Sequence, residues 1–292
     1  MYDTIHLTCP HLKREEDFLL SNFEYKHTEN KNGANWYNLK FKNINIYMSE
    51  SYIKIEGSLS KFFFGNNTST LNRNTTKYAI EKLSDTFKLD LNKAKIKRID
   101  IGDNLTMKTS VKQYFPCLGL YHGKNRIEFK DTLYYGNNFL SLVFYDKGKE
   151  CKLKKDNLLR YEMRKNKYLL RKLFKKEQIY GYHLYNEYIY NTLISLWEKE
   201  YFFIEKINIP IINISQIKTN ADAQKALLGY FITTCQNNKS IQHIKEVLNS
   251  QNKFRFNSSI KDIKSKYLKG SSSIFIEELN NLIHNRVMQE LS

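Results

Sequence analysis

Segments of the first sixty residues alternate apolar and polar positions, and so do segments between 95 and 164; after Lys165 the apolar spacing lengthens to three or four. Alternation with a period of two marks half-buried strands, and the longer spacing marks helices. Thr4–Cys9 alternates and is stopped by Pro10, and Asn35–Phe41, Ile44–Met48 and Ser51–Leu59 follow. Within the last of these, Tyr52, Lys54, Glu56 and Ser58 fall on one face, and Ile53, Ile55 and Leu59 on the other. GSLSKFFFGNN then closes the unit with a turn at Gly65–Asn67.

Thr75–Phe87 reads as an amphipathic helix with Tyr78, Ala79, Leu83 and Phe87 on its apolar stripe. The segment KIKRIDIGDNL, between Leu91 and Leu105, reads as a strand, and Ser110–Cys117 as a short helix. Four further strands are expected over Arg126–Phe129, Thr132–Tyr135, Ser141–Tyr145 and Leu158–Arg164. Helices are expected over Asn166–Phe174, Leu184–Ile204, Ala221–Cys235, Ser240–Leu248, Ser258–Tyr267 and Ile274–Leu291, with a break at Pro210 and a linker-like turn at Lys269–Ser273. This order predicts an α+β fold: an antiparallel sheet with helices on one face, followed by a mostly helical C-terminal region. The expected division is a sheet-based domain over 1–175 and a helical region over 176–292, the latter serving DNA recognition or oligomer contacts.

Strand parity gathers chemistry onto one face. In the 96–104 strand Arg98, Asp100 and Gly102 point one way, and Ile99, Ile101 and Asp103 the other. Val143, Tyr145 and Lys147 share a face of the 141–147 strand, and Arg160, Glu162 and Arg164 share a face of the 158–164 strand. The opposite positions, Leu142, Phe144, Leu159, Tyr161 and Met163, are apolar. If the three strands are neighbours, one polar face collects Tyr145, Lys147, Asp100, Glu162, Arg98, Arg160 and Arg164. A solvated surface with ion pairs accounts for any single strand of this kind. Three such strands together point to a bound ligand, since buried charge is costly without one.

Composition supports a polyanionic partner. The 292 residues carry 47 Lys and Arg against 30 Asp and Glu, a formal charge of +17. Such an excess favours nucleic acid, because cations gain by displacing counterions from a phosphate backbone; a compositional bias toward Lys, Asn, Ile and Tyr would give the same count. The 21 Tyr and 18 Phe add potential base-stacking surface, although most are expected in the core. Cys9, Cys117, Cys151 and Cys235 are scattered with no CxxC pair, which argues against a zinc ribbon and for free thiols. With no signal-like or membrane-length apolar run, a soluble cytoplasmic protein without membrane contact is expected.

The reaction that uses this residue set is tyrosine attack on a phosphodiester. A free tyrosine ionises near pH 10, so Tyr145 needs assistance. Mg²⁺ or Mn²⁺ held by Asp100 and Glu162 would neutralise charge on the scissile phosphate. Lys147 would hold that phosphate or favour the phenolate, and Arg98, Arg160 and Arg164 would clamp neighbouring phosphates. Among other tyrosines, Tyr134 or Tyr135 is close enough in sequence to reach the site, whereas Tyr161 should face the core and Tyr168 should pack on its helix. His122 reads as a solvated loop residue.

RIDIG at 98–102, LVFYDKGKE at 142–150 and LLRYEMRKNKYLLRKLF at 158–174 resemble, in order, the replication initiators of filamentous phages, the gene II/X type. TLYYG at 132–136 resembles the T-x-Y-x-G strand of trans-acting rolling-circle plasmid initiators, and MYDTIHLTCP and SLSKFFFGNN resemble the phage group in style. The resemblance covers roughly residues 95–175 well and the first 70 loosely. It implies a metal-dependent nickase for rolling-circle replication, with Tyr145 as nucleophile, Asp100 and Glu162 as metal or scaffold acids, and Lys61 added as a DNA contact. The product would be a 5′-phosphotyrosine and a 3′-OH primer. The implied partners are an origin that is single-stranded at the nick, host helicase and polymerase, and a second copy of the chain. The His–hydrophobic–His triplet of many rolling-circle enzymes does not occur here. Two other classes fit the same residues: a DNA-binding replication protein with no covalent step, and a relaxase or transposase using the same tyrosine chemistry. The helices near 221–250 have the length of a helix-turn-helix, although packing is the simpler reading.

Overall fold

Pairing of the alternating segments builds one ten-stranded sheet, all of it antiparallel. The computed structural model describes residues 1–29, 35–66, 68–137, 139–152, 157–234, 243, 246–247 and 256–292. The strands are β1 (Tyr2–Pro10), β2 (Tyr25–Glu29), β3 (Asn35–Phe41), β4 (Ile44–Met48), β5 (Tyr52–Ser58), β6 (Lys95–Thr106), β7 (Asn125–Phe129), β8 (Thr132–Gly136), β9 (Leu140–Asp146) and β10 (Leu158–Asn166). Their spatial order is β2-β3-β4-β5-β1-β6-β10-β9-β8-β7. The three chemistry-bearing strands are therefore neighbours, with β10 between β6 and β9. Arg164 pairs with Asp100, Glu162 with Gly102, and Arg160 with Tyr145.

Helices cover the apolar face. The helices within or flanking the sheet sequence are α1 (Lys13–Asn22), α2 (Leu59–Phe64), α3 (Arg73–Phe87), α4 (Lys147–Glu150), α5 (Lys167–Phe174) and α6 (Glu187–Phe202). Phe87 of α3 packs on Phe41 of β3, ring centroids 5.9 Å apart. Trp197 of α6 lies 4.7 Å from Tyr161 of β10, which stacks at 4.4 Å on Phe144 of β9. Tyr161 and Trp197 are fully buried, as the parity of β10 requires. Each such side chain withdraws apolar area worth about 25 cal/mol per Å², which makes this layer the main source of stability. The contact-defined unit containing the sheet comprises residues 1–111, 120–204 and 282–292. The expected boundary at 175 therefore falls inside this unit, because α6 buries its apolar side on the sheet.

The second unit comprises residues 112–119 and 205–281. It holds a two-stranded antiparallel pair, β11 (Pro210–Ile212) with β12 (Leu268–Ser271), and helices α7 (Asn220–Thr234) and α8 (Phe256–Tyr267). The segment expected to be a linker at Lys269–Ser273 instead supplies β12. A Cβ on Gly229 of α7 would lie 2.7 Å from a methyl of Ile263, so a larger residue there would have to push Ile263 aside. Tyr114 donates to Glu278 at 2.7 Å. The last helix, α9 (Ser273–Leu291), begins in this unit and ends in the first.

Several local readings change. α1 and β2 lie outside the expected elements; the first has weak apolar periodicity, with only Leu19 and Glu16 buried. The FFF segment is helical: Ser58 caps α2 by accepting from the Lys61 amide, and Gly65 ends it with a left-handed φ of 79°. Tyr78 is exposed on α3, whose buried residues are Thr76, Ala79, Ile80, Leu83 and Phe87. Tyr168 is exposed as well, because Leu170 and Phe174, one turn apart, take the buried side of α5. The expected helix at Ser110–Cys117 is two short 3-10 turns, and that at Leu184–Ile204 becomes a 3-10 turn followed by α6. Cys9 and Cys117 are buried free thiols and Cys151 is a half-buried one; Cys235 and most of the expected helix at Ser240–Leu248 lie outside the described residues. Among the described residues no helix is long and apolar enough to cross a membrane.

Candidate active site

Register alone puts Arg98, Asp100, Tyr145, Arg160, Glu162 and Arg164 on the helix-free face, and side-chain geometry joins them into one network. The Tyr145 hydroxyl donates to Glu162 Oε1 at 2.9 Å. Arg160 Nε donates to that same oxygen at 3.1 Å. Arg164 donates to Glu162 Oε2 at 2.9 Å and lies 3.8 Å from Asp100. Arg98 grips Asp100 with two bonds, 2.7 and 2.6 Å, a bidentate fork that fixes both carboxylate oxygens.

Glu162 can stand here because of the residue opposite. Its cross-strand partner is Gly102, where a Cβ would meet Glu162 Cγ at 2.8 Å and the Tyr161 carbonyl at 2.6 Å. A side chain at 102 would displace the carboxylate that holds Tyr145.

Arg160 is 1 % exposed. A buried guanidinium needs its donors satisfied, and it bonds Asp3 at 2.7 Å and Asn104 at 3.2 Å besides Glu162. Burial works against its charge, but Asp3 and Glu162 outweigh burial and hold its pKa above the ordinary value. Asp3 shows the matching shift: burial raises its carboxyl, yet Arg160 and the Ser58 and Ser60 hydroxyls bring it below the usual range. Asp3 reaches this face through a register irregularity in β1 between Tyr2 and Ile5, which leaves Tyr2 and Ile5 in the core while Asp3 turns outward.

Burial shifts Asp100 and Tyr145 in the direction of their neutral forms. The Asp100 carboxyl is pushed up to about 6, chiefly by burial and only partly opposed by Arg98 and Arg164. The Tyr145 phenol is raised, first by burial and then by the Glu162 charge beside it. The hydroxyl is thus held protonated, with its proton directed at a carboxylate.

Lys147 is not a strand residue. β9 ends at Asp146, which caps α4 by accepting from the Lys149 amide, and Lys147 opens that turn. Its ammonium still reaches the face: it pairs with Glu150 at 2.9 Å and lies 5.5 Å from the centre of the Tyr145 ring. Lys61 is exposed on α2 and does not line the hollow around Tyr145. That hollow, about 300 Å³, is bounded by Asp3, His6, Arg98, Asp100, Tyr145, Lys147, Glu162 and Arg164, among others. A second hollow of about 510 Å³ lies on the other side of Tyr145 and Arg164 and is lined also by Tyr134 and Lys149. Of the tyrosines weighed from sequence, Tyr134 shares the face and Tyr135 is buried in the core.

Sequence reasoning does not reach Asp3, His6, Ser58, Asn104 or Glu150. His6 Nδ1 sits 2.7 Å from Glu56. Parity already puts Glu56 and Ser58 on one polar face; what sequence lacks is the pairing of β5 and β6 on either side of β1.

Among the described residues, no group of three or more His, Cys, Asp or Glu is arranged to hold a metal ion. Asp100 and Glu162 nonetheless supply hard oxygen donors on one face, bridged by Arg164. A pair of carboxylates suits Mg²⁺, which is commonly held by one or two such groups together with substrate phosphates rather than by a protein cage.

Comparison with known families matches residues 20–187 to the N-terminal domain of the phage replication-associated protein, the gene II product. The matched span exceeds half of the chain and includes every strand of the network except β1. Among solved structures, the rolling circle replication initiator protein from Geobacillus stearothermophilus is similar, with 13 % identity and a TM-score of 0.38 over 59 % of this chain and 77 % of that one. No curated protein matches by sequence.

Proposed function

The chain belongs to the phage replication-associated protein family through that family's N-terminal domain, and from this membership we propose that it initiates rolling-circle replication by nicking one DNA strand. The observation that carries the reading is the Tyr145 hydroxyl donating to Glu162 at 2.9 Å within a ring of arginines. Tyr145 Oη attacks the scissile phosphorus, and its proton passes to Glu162, which already accepts it in a hydrogen bond. The phosphorus–oxygen bond to the 3′ carbon breaks, and the leaving oxygen takes a proton from water. A 5′-phosphotyrosine and a 3′-OH primer result, the latter for a host polymerase working behind a helicase.

Arg98 and Arg164, each about a third exposed, meet the phosphate; Arg160 is buried and orients Glu162. Lys147 adds positive charge beside the ring of the nucleophile. Asp100 and Glu162 are the residues that would hold Mg²⁺ or Mn²⁺, which when bound supplies charge neutralisation at the phosphate. In the DNA-free arrangement the arginines engage those oxygens. A phosphate that draws Arg164 away frees a Glu162 oxygen, so ion and DNA are expected to bind together.

A second reading, DNA binding with no covalent step, is favoured by the raised pKa of the Tyr145 phenol. The two separate on one substitution. Tyr145→Phe should abolish nicking of a supercoiled origin plasmid and covalent capture of labelled single-stranded origin DNA, while leaving the fold intact. Retained nicking, or a label mapping to Tyr134 instead, would overturn the assignment of the nucleophile.

A further inference from the structure

The polar face does not stop at the charged network. Cross-strand partners carry it outward from β1: His6 stands opposite Glu56, Glu56 opposite Asn45, and Asn45 opposite Lys40. One pair of positions along, Lys54 stands opposite Tyr47 and Tyr47 opposite Asn38. Trp36 and Tyr52 share this face, their ring centroids 6.2 Å apart and near perpendicular. The Lys54 ammonium lies 5.4 Å from the centre of the Tyr47 ring.

These aromatic residues are not core. The core positions of the same strands are Leu39, Ile44, Ile46, Ile53 and Ile55, all buried on the opposite face. Trp36, Tyr47 and Tyr52 are half-exposed instead, with Lys40 and Lys54 and the amide of Asn38 among them. Cross-strand packing of the rings adds only modestly to the sheet, and their open faces remain available to a ligand. Rings set among cations on an open sheet suit unpaired bases, which stack on aromatic faces while the cations meet the phosphates. A duplex keeps its bases stacked on each other and offers no such faces. Strands lie about 4.8 Å apart, so the β3–β5 span is sized for two or three bases.

We infer that this wing is a platform for single-stranded DNA. Bases of the strand on one side of the scissile phosphate stack on Trp36, Tyr47 and Tyr52, with Lys40 and Lys54 on the backbone; this rests on the nicking proposal for the position of the strand. The face runs without interruption from the Asp100 network through His6 and Glu56, so a strand leaving the nick along β5 meets the rings next.

The test uses the full chain and a short oligothymidylate, without metal. The protein has two tryptophans, and Trp197 is fully buried, so fluorescence quenching on binding reports Trp36. Native protein should be quenched, and Trp36→Phe should bind without quenching. Trp36→Ala and Tyr47→Ala should each weaken binding about tenfold, with less effect on duplex of the same length. Quenching that survives in Trp36→Phe, or native affinity in both alanine variants, overturns the platform. Tyr145→Phe should bind the oligonucleotide as the native chain does. A failed platform would leave covalent capture intact, and a failed nucleophile would leave the quenching intact, so the two ideas fall separately.

Discussion

The centre and the wing of one sheet face solve opposite problems. At β6, β10 and β9 the face is buried and charged, and every named group is held by another: Arg160 by Asp3, Asn104 and Glu162, and Asp100 by Arg98. At β3, β4 and β5 the same face is half-exposed: Trp36 and Tyr52 meet edge to face, and Lys54 lies over the Tyr47 ring. The centre is preorganised: its arginines already hold the Asp100 and Glu162 carboxylates in one fixed arrangement. The wing leaves its rings partly open to solvent. Saturation at the centre and openness at the wing come from one alternating pattern, because cross-strand neighbours decide whether a polar position is saturated.

If the comparison holds, removing a charge at the centre should cost most. Arg160→Leu leaves Asp3 buried without its principal cation and Glu162 with Arg164 alone, and should lower unfolding stability by about 3–5 kcal/mol in urea titration. A cost near zero would mean that the centre is as open as the wing.

The next effect is one of pH. In the folded chain Asp100 keeps its proton up to about pH 6, against 3.8 for an ordinary aspartate. Between those values the folded state binds the extra proton, so this group's contribution to stability falls as pH rises through the window and is flat above it. The full change is at most about 3 kcal/mol. Asp100→Asn should remove that slope in melting temperature between pH 4 and 6; an unchanged slope would assign it elsewhere.

Gly102→Ala sharpens the comparison sterically. Its Cβ meets Glu162, so about 1–3 kcal/mol should be lost. Nicking should fall further than stability alone explains, measured at a temperature where both proteins are folded. Smallest of all, Trp36→Ala should cost about 1 kcal/mol or less, the loss of its edge-to-face contact with Tyr52. A melting shift as large as that of Arg160→Leu would erase the distinction between centre and wing.

Much of this is legible in sequence. Alternation assigns the faces of β6, β9 and β10 correctly because each has an apolar side that register cannot slip without exposing. It does not reach Asp3, since an irregularity in β1 breaks the parity that a reader would extend backward from Ile5. It misplaces Lys147 in a strand because the capping oxygen of Asp146 ends β9 one residue sooner. Tyr168 reads as packing because helix periodicity fixes an apolar stripe only to within a residue or so, and Leu170 and Phe174 take it. The wing is visible as parity in Tyr52–Ser58, yet its meaning needs Trp36 and Tyr47 from two other strands beside it.

The strand order also dictates when the face exists. β2 to β5 form a meander of sequence neighbours, and so do β7 to β9. Such local hairpins close quickly, whereas pairings between distant segments must first overcome loop entropy. β1 with β6, and β6 with β10, are of the second kind. On a ribosome the wing can therefore take shape early, but Tyr145 has no Glu162 and Asp3 has no Arg160 until β10 has been made. The charges are assembled by the last strand of the sheet to arrive, so a nascent chain carries its aromatic wing before it carries its charged centre.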